Sequence, residues 1–139
     1  MGVIFGGNMI DLAINVTQLN QWQIIVLKGE LDDYQSAKLT QTFNKLIDEG
    51  ASKAIILNLD DVSFVDSVGL GTIAIAGKKL QEGSGQLHIV CSQKKIAQMI
   101  TLSGIIPATK HTIQLFDSTD EAAAAAQHHS SKENAHGTL

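Results

Sequence analysis

The sequence predicts an α/β domain in which a mixed β-sheet is packed with about four α-helices. Three observations lead there. Residues 54–59 (Ala-Ile-Ile-Leu-Asn-Leu) form a nearly continuous apolar run rich in branched side chains, as expected of a strand covered on both faces in a parallel sheet. Strand-like and helix-like patterns then alternate to the end of the chain, the signature of βαβ units. Upstream, two strand patterns lie close enough together for a hairpin, which adds an antiparallel pair and makes the sheet mixed. A chain of 139 residues has room for one such core and little for a second.

In order, residues 10–17 alternate apolar and polar through Ile10, Leu12, Ile14 and Val16, a half-buried strand. A turn over 18–21 leads into a second strand over 22–27. After Gly29, residues 32–34 open a helix with Asp32 as its cap and Leu39, Phe43, Leu46 and Ile47 as its buried stripe, ended by Gly50. The central strand over 54–59 follows, then an acidic loop beginning at Asp60 and Asp61, expected to be solvated. A helix then starts near Ser67. Leu70, Ile73, Gly77 and Leu80 recur along it at helical spacing, leaving Lys78, Lys79 and Gln81 for water.

Residues 83–85 (Gly-Ser-Gly) make the exit loop, and 86–91 the next strand. The pattern over 94–103 reads as a helix with Ile96 and Ile100 inward and Met99 beside them, closed by Gly104 and kept from continuing by Pro107. A last strand covers 112–116. Ser118 and Glu121 then form a capping box ahead of an alanine-rich helix. The domain is expected over 10–127, with a polar, disordered tail over 128–139. The Gly-rich residues 1–9 read as a flexible leader or as an extra strand.

Composition removes several classes of function. A formal net charge of −4 and an aromatic content of 4% argue against a broad nucleic-acid footprint. No run approaches the ~18 apolar residues of a membrane span, and the start lacks the pattern of a signal peptide, so a cytoplasmic protein with no membrane contact is expected. The single Cys91 lies in a strand-like run and reads as a small buried apolar residue; within one chain it can form no disulfide. His128, His129 and His136 have no carboxylate or thiol spacing around them, so no metal site is expected there. No cofactor is expected either.

The stretch from Asp60 to Gly71 carries the functional signal. A serine at a helix start ordinarily caps it, accepting a bond from an N–H of the first turn, and Asp66 beside it suits the positive end of the helix dipole. Gly69 and Gly71, however, stand in the first helical turns, where each costs roughly 1 kcal/mol relative to alanine. A bare backbone open to another protein would account for them. A phosphate on Ser67 would meet unpaired N–H groups and a favourable dipole, so the fold could carry it without melting.

Gly29-Glu30-Leu31-Asp32, Leu57-Asn58-Leu59 and the segment Val62-Ser63-Phe64-Val65-Asp66-Ser67-Val68-Gly69-Leu70-Gly71 together resemble a STAS domain, over roughly residues 10–125. More narrowly they resemble the anti-sigma factor antagonists of bacterial partner switching. The resemblance implies a non-enzymatic protein that binds a serine-kinase anti-sigma factor while unphosphorylated. It implies phosphorylation of Ser67 by that kinase, release of the partner, and reversal by a PP2C-type phosphatase. It also implies a partner-facing surface made of Asp32, Asp66, Val68, Gly69 and Leu70, on a monomer or weak dimer. Many relatives have Ser or Thr directly after the phosphoacceptor; here it is Val68, which leaves Ser67 as the single acceptor of the motif. The alternative within the family is a scaffold or regulator of another kinase, phosphatase or cyclase.

Two further readings fare worse. Residues 69–74 fit Gly-x-Gly-x-x-Ala, but a polar loop separates them from their strand, and the next strand ends in Cys91-Ser92 where a dinucleotide site wants an acid. Asp60 and Asp61 could suggest a magnesium-dependent phosphoaspartate site, yet Lys110, the only lysine near the last strand, precedes that strand.

Overall fold

The computed structural model describes residues 11–125; the expected leader over 1–9, the tail over 128–139 and the three tail histidines lie outside them. Five strands, β1 (Ala13–Leu19), β2 (Trp22–Leu31), β3 (Ala54–Val65), β4 (Gln86–Val90) and β5 (Ile113–Phe116), form one sheet in that order. β1 and β2 pair antiparallel through a two-residue turn in which Asn20 takes a left-handed conformation (φ 55°), and β2 to β5 are parallel. The sheet is therefore mixed, as the patterns predict.

Because each parallel connection steps to the next strand in the same direction, right-handed crossovers put all of them on one face of the sheet. There α1 (Ser36–Asn44), α2 (Ser67–Glu82) and α3 (Lys94–Ser103) bury Leu39 and Phe43, Ile73 and Leu80, and Ile96 and Ile100 against Ile55, Leu57, Leu87 and Ile89. α1 runs on into a π-helical turn, Lys45–Glu49, before Gly50. The opposite face is covered by the last helix, α5 (119–125), whose buried Ala122 meets Trp22, Ile24, Ile56 and Val90. β3 is thus buried from both sides, which its apolar run requires.

Several expectations change. The acidic segment after Leu59 is strand, not loop: β3 runs to Val65 and stays paired with β2 through two register shifts, one at Val26/Lys28 and one at Gly29/Glu30. Each shift admits an extra β3 residue, and a bulge of this kind lets a polar, irregular stretch remain in the ladder. Asp60 is accordingly no solvated loop residue, since its carboxylate accepts bonds from the N–H and hydroxyl of Ser92 at 2.8 and 3.0 Å. Met99 faces solvent. Pro107 lies inside an additional short helix, α4 (Ile105–Ala108), whose first turn needs no N–H from it. Gly104, left-handed at φ 82°, separates α3 from α4. No helix among the described residues is long and apolar enough to cross a membrane.

Candidate functional site

β2 and β3 end side by side, Leu31 opposite Val65, and the Asp66 N–H extends the ladder by one more bond to the Leu31 carbonyl at 3.1 Å. Two loops therefore leave the sheet together, one entering α1 and one entering α2. Asp66, extended at φ −100°, is the N-cap of α2: one carboxylate oxygen accepts from the Gly69 N–H at 2.8 Å. The other accepts from the Asp33 N–H, also at 2.8 Å. One side chain thus starts the helix and ties the two loops together.

Ser67 does not cap the helix. It is the first helical residue, it is exposed, and no described residue bonds its hydroxyl. The expectation of a capping serine fails because Asp66, one position earlier and in the extended conformation a cap requires, already holds the first-turn N–H. Asp32 lies in the neighbouring loop but is not the cap of α1. Its carboxylate accepts from the Gln35 N–H at 2.8 Å, and its carbonyl accepts from the N–H and hydroxyl of Ser36 at 2.9 and 2.6 Å. This tight turn delays α1 until Ser36, where Gln35 stands at the cap position without a side-chain bond.

The two glycines have different reasons. Gly69 is buried against β2, and a Cβ there would stand 2.5 Å from the Leu31 carbonyl oxygen and 2.8 Å from Leu31 Cγ. Internal close approach, not access for another protein, therefore accounts for it. Around Gly71 there is open space to 4 Å, so its bare backbone does face outward. Leu70 is partly buried on the main core, while Val68 is 49% exposed.

Sequence reasoning missed three exposed apolar side chains on these same elements. Tyr34 is 77% exposed in the loop before α1, Phe64 is 47% exposed at the end of β3, and Ile75 is 63% exposed two turns beyond Val68 on α2. Strict alternation from Val62 would send Phe64 inward. The register shift makes Ser63 the extra residue, so Phe64 pairs with Glu30 and points out. The adjacent Phe64 and Val65, which strict alternation cannot both send inward, were the available signal. The site is therefore an exposed hydroxyl beside apolar side chains and acidic loops. Among the described residues no group of three or more His, Cys, Asp or Glu could hold a metal ion. Cys91 is buried at the end of β4, and that burial pushes its thiol pKa above the usual value.

The STAS domain family model matches residues 13–122. The anti-sigma-B factor antagonist of Staphylococcus aureus is 27% identical over 96 residues, covering 69% of this chain and 88% of that protein. Among solved structures, an anti-sigma factor antagonist from Mycobacterium paratuberculosis superposes with a TM-score of 0.74 at 23% identity, over 84% of this chain and 95% of that one. The Bacillus cell fate determinant SpoIIAA in its phosphorylated form gives 0.64 at 23% identity, over 82% and 99%. The likeness to the solved structures is one of fold.

Proposed function

The chain belongs to the STAS domain family, and from that premise we propose that it acts as an anti-sigma factor antagonist switched by phosphorylation of Ser67. The observation that carries this reading is the Ser67 hydroxyl itself: exposed, unbonded, and set at the first position of α2 because Asp66 has taken the cap. The S. aureus relative bears the antagonist name, and the Bacillus relative of the same fold exists in a phosphorylated form, which support the reading.

In this mechanism the unphosphorylated chain offers Ser67, Val68 and the exposed part of Leu70, with Asp32 and Asp66 in the adjoining loop and cap, to an anti-sigma factor that is a serine kinase. Gly69 acts from beneath, letting α2 sit close on Leu31. Docking frees the sigma factor. The kinase then transfers the γ-phosphoryl group of Mg-ATP to Ser67 Oγ; the hydroxyl proton is lost and ADP leaves. The new group carries about −1.5 to −2 charge beside existing carboxylates, on a surface that met its partner as a neutral hydroxyl. Holding that charge desolvated and unpaired costs several kcal/mol, and each 1.4 kcal/mol is about tenfold in affinity. The complex separates, and a PP2C-type phosphatase resets the serine by hydrolysis.

The test is peptide mass spectrometry after incubation with Mg-ATP and host extract, on the native chain and Ser67→Ala. A single phosphate on Ser67, absent from the variant, is the expected result. An extract active on a control substrate that leaves Ser67 unmodified removes the kinase reading and favours a scaffold role within the same family.

A further inference from the structure

β3 outruns its neighbour. Its last pair with β4 is Asn58 with Val90, after which residues 59–65 continue toward Ser67 paired with β2 alone. Beyond that point β3 has a partner strand on one side only, and its free flank would leave carbonyl groups without protein partners. The structure fills that flank with one side chain. The Gln93 amide nitrogen donates to the carbonyls of Leu59 at 3.3 Å and Asp60 at 3.0 Å, and to that of Val62. Ser92, the residue before it, holds the Asp60 carboxylate through its N–H and hydroxyl. Gln93 is itself anchored, because its carbonyl accepts the Ala97 N–H at 3.0 Å in the first turn of α3. The β4–α3 connection thus stands where the next stretch of β4 would have been.

We propose that Gln93 is a positioning residue for the Ser67 turn: by donating to the β3 carbonyls beyond Asn58 it fixes the end of β3, and through Val65 and Asp66 the direction in which the Ser67 hydroxyl is presented. The functional half of this rests on Ser67 being the phosphoacceptor. The chemistry is specific, since an amide nitrogen supplies two N–H donors to three carbonyls. A leucine of similar volume supplies none, a glutamate adds only acceptors, and a lysine restores donors at similar reach.

The test uses the full chain with Gln93→Leu, Gln93→Glu and Gln93→Lys, followed by hydrogen exchange and by the rate of Ser67 phosphorylation in the extract. Exchange over 59–70 is expected to accelerate about tenfold or more in the Leu and Glu variants and to stay near native in Lys. Exchange over 54–57 and 86–90 should hold once corrected for global stability. Phosphorylation should fall at least about fivefold in Leu and recover in Lys, following the donor and not the volume. The proposal is overturned if Leu protects 59–70 as well as Gln, if exchange rises uniformly along the chain, or if phosphorylation ignores a loosened turn. Should the native chain take no phosphate, the Ser67 reading fails by itself, while the exchange pattern still decides whether Gln93 fixes the turn.

Discussion

Asp66 uses both carboxylate oxygens, one on the Gly69 N–H and one on the Asp33 N–H, and this single placement leaves the next side chain free. The same local geometry separates the two glycines of the turn. At Gly69 an added methyl group meets a backbone carbonyl that cannot swing away, so Gly69→Ala should destabilise the fold by about 1–3 kcal/mol, as overpacking does. At Gly71 it meets nothing, and Gly71→Ala should stabilise by about 0.5–1 kcal/mol through helix propensity. Urea unfolding of both variants checks this; effects of the same sign would contradict the packing described. Cys91 gives a second residue-scale expectation. Burial raises its thiol pKa, so near neutral pH the thiolate is scarce and enclosed. Iodoacetamide should label it slowly in the native protein and at least ten times faster (on the order of) in urea.

At the scale of elements, α5 rests on a narrow contact. It covers the second face of the sheet chiefly through Ala122, which meets the cluster of Trp22, Ile24, Ile56 and Val90, and its first turn is held by the Glu121 N–H donating to Ser118 Oγ at 3.2 Å. Beneath it the rings of Trp22, His88 and Phe116 pack in tilted pairs, with centroids 4.9 and 4.6 Å apart, and His88 Nδ1 lies 2.8 Å from the Ala122 carbonyl. Ser118→Ala should remove a cap worth about 1 kcal/mol. Ala122→Asp places a charge in an apolar contact and should lift α5 off the sheet. Since Trp22 is the only tryptophan, its emission should shift to the red in Ala122→Asp; an unchanged spectrum with native stability would show that α5 does not cover this face. The tie from α2 to the π-helical turn, Lys79 to Asp48 at 3.0 Å, is solvent-screened, and Asp48→Ala should change stability by no more than about 1 kcal/mol.

For the molecule as a whole, the proposed phosphoacceptor stands apart from the core. The core lies between the sheet and α1, α2 and α3, whereas Ser67 stands at the strand ends with its side chain in solvent. A negative charge at the first position of α2 is favoured by the helix dipole by about 0.3–1 kcal/mol. Ser67→Asp should therefore leave unfolding unchanged or slightly raise stability and, under the proposed function, should bind the kinase partner more weakly than Ser67→Ala does. Parallel unfolding and binding measurements check this, and a Ser67→Asp variant that loses stability in step with affinity would mean that the charge acts by melting the helix.

The sequence by itself determined the strand order, the hairpin, the existence of α1, α2, α3 and α5, the inward Leu39 and Phe43, Ile73 and Leu80, and Ile96 and Ile100, and the motif around Ser67; it did not show the short α4 or the outward Met99. Each feature it determined is written in local periodicity or in neighbouring residues, and periodicity follows from the geometry of a single element. Only the tertiary structure decided that the acidic stretch after Leu59 is strand, that Asp66 displaces Ser67 as the cap, that Gly69 answers to Leu31, and that Phe64 faces out. These depend on register between β2 and β3 and on partners about 30 residues away or more, such as Asp33 for Asp66 and Gln93 for Val62. A bulge shifts the inside–outside alternation by one residue, so a local pattern read without its partner strand assigns the following side chains to the wrong face.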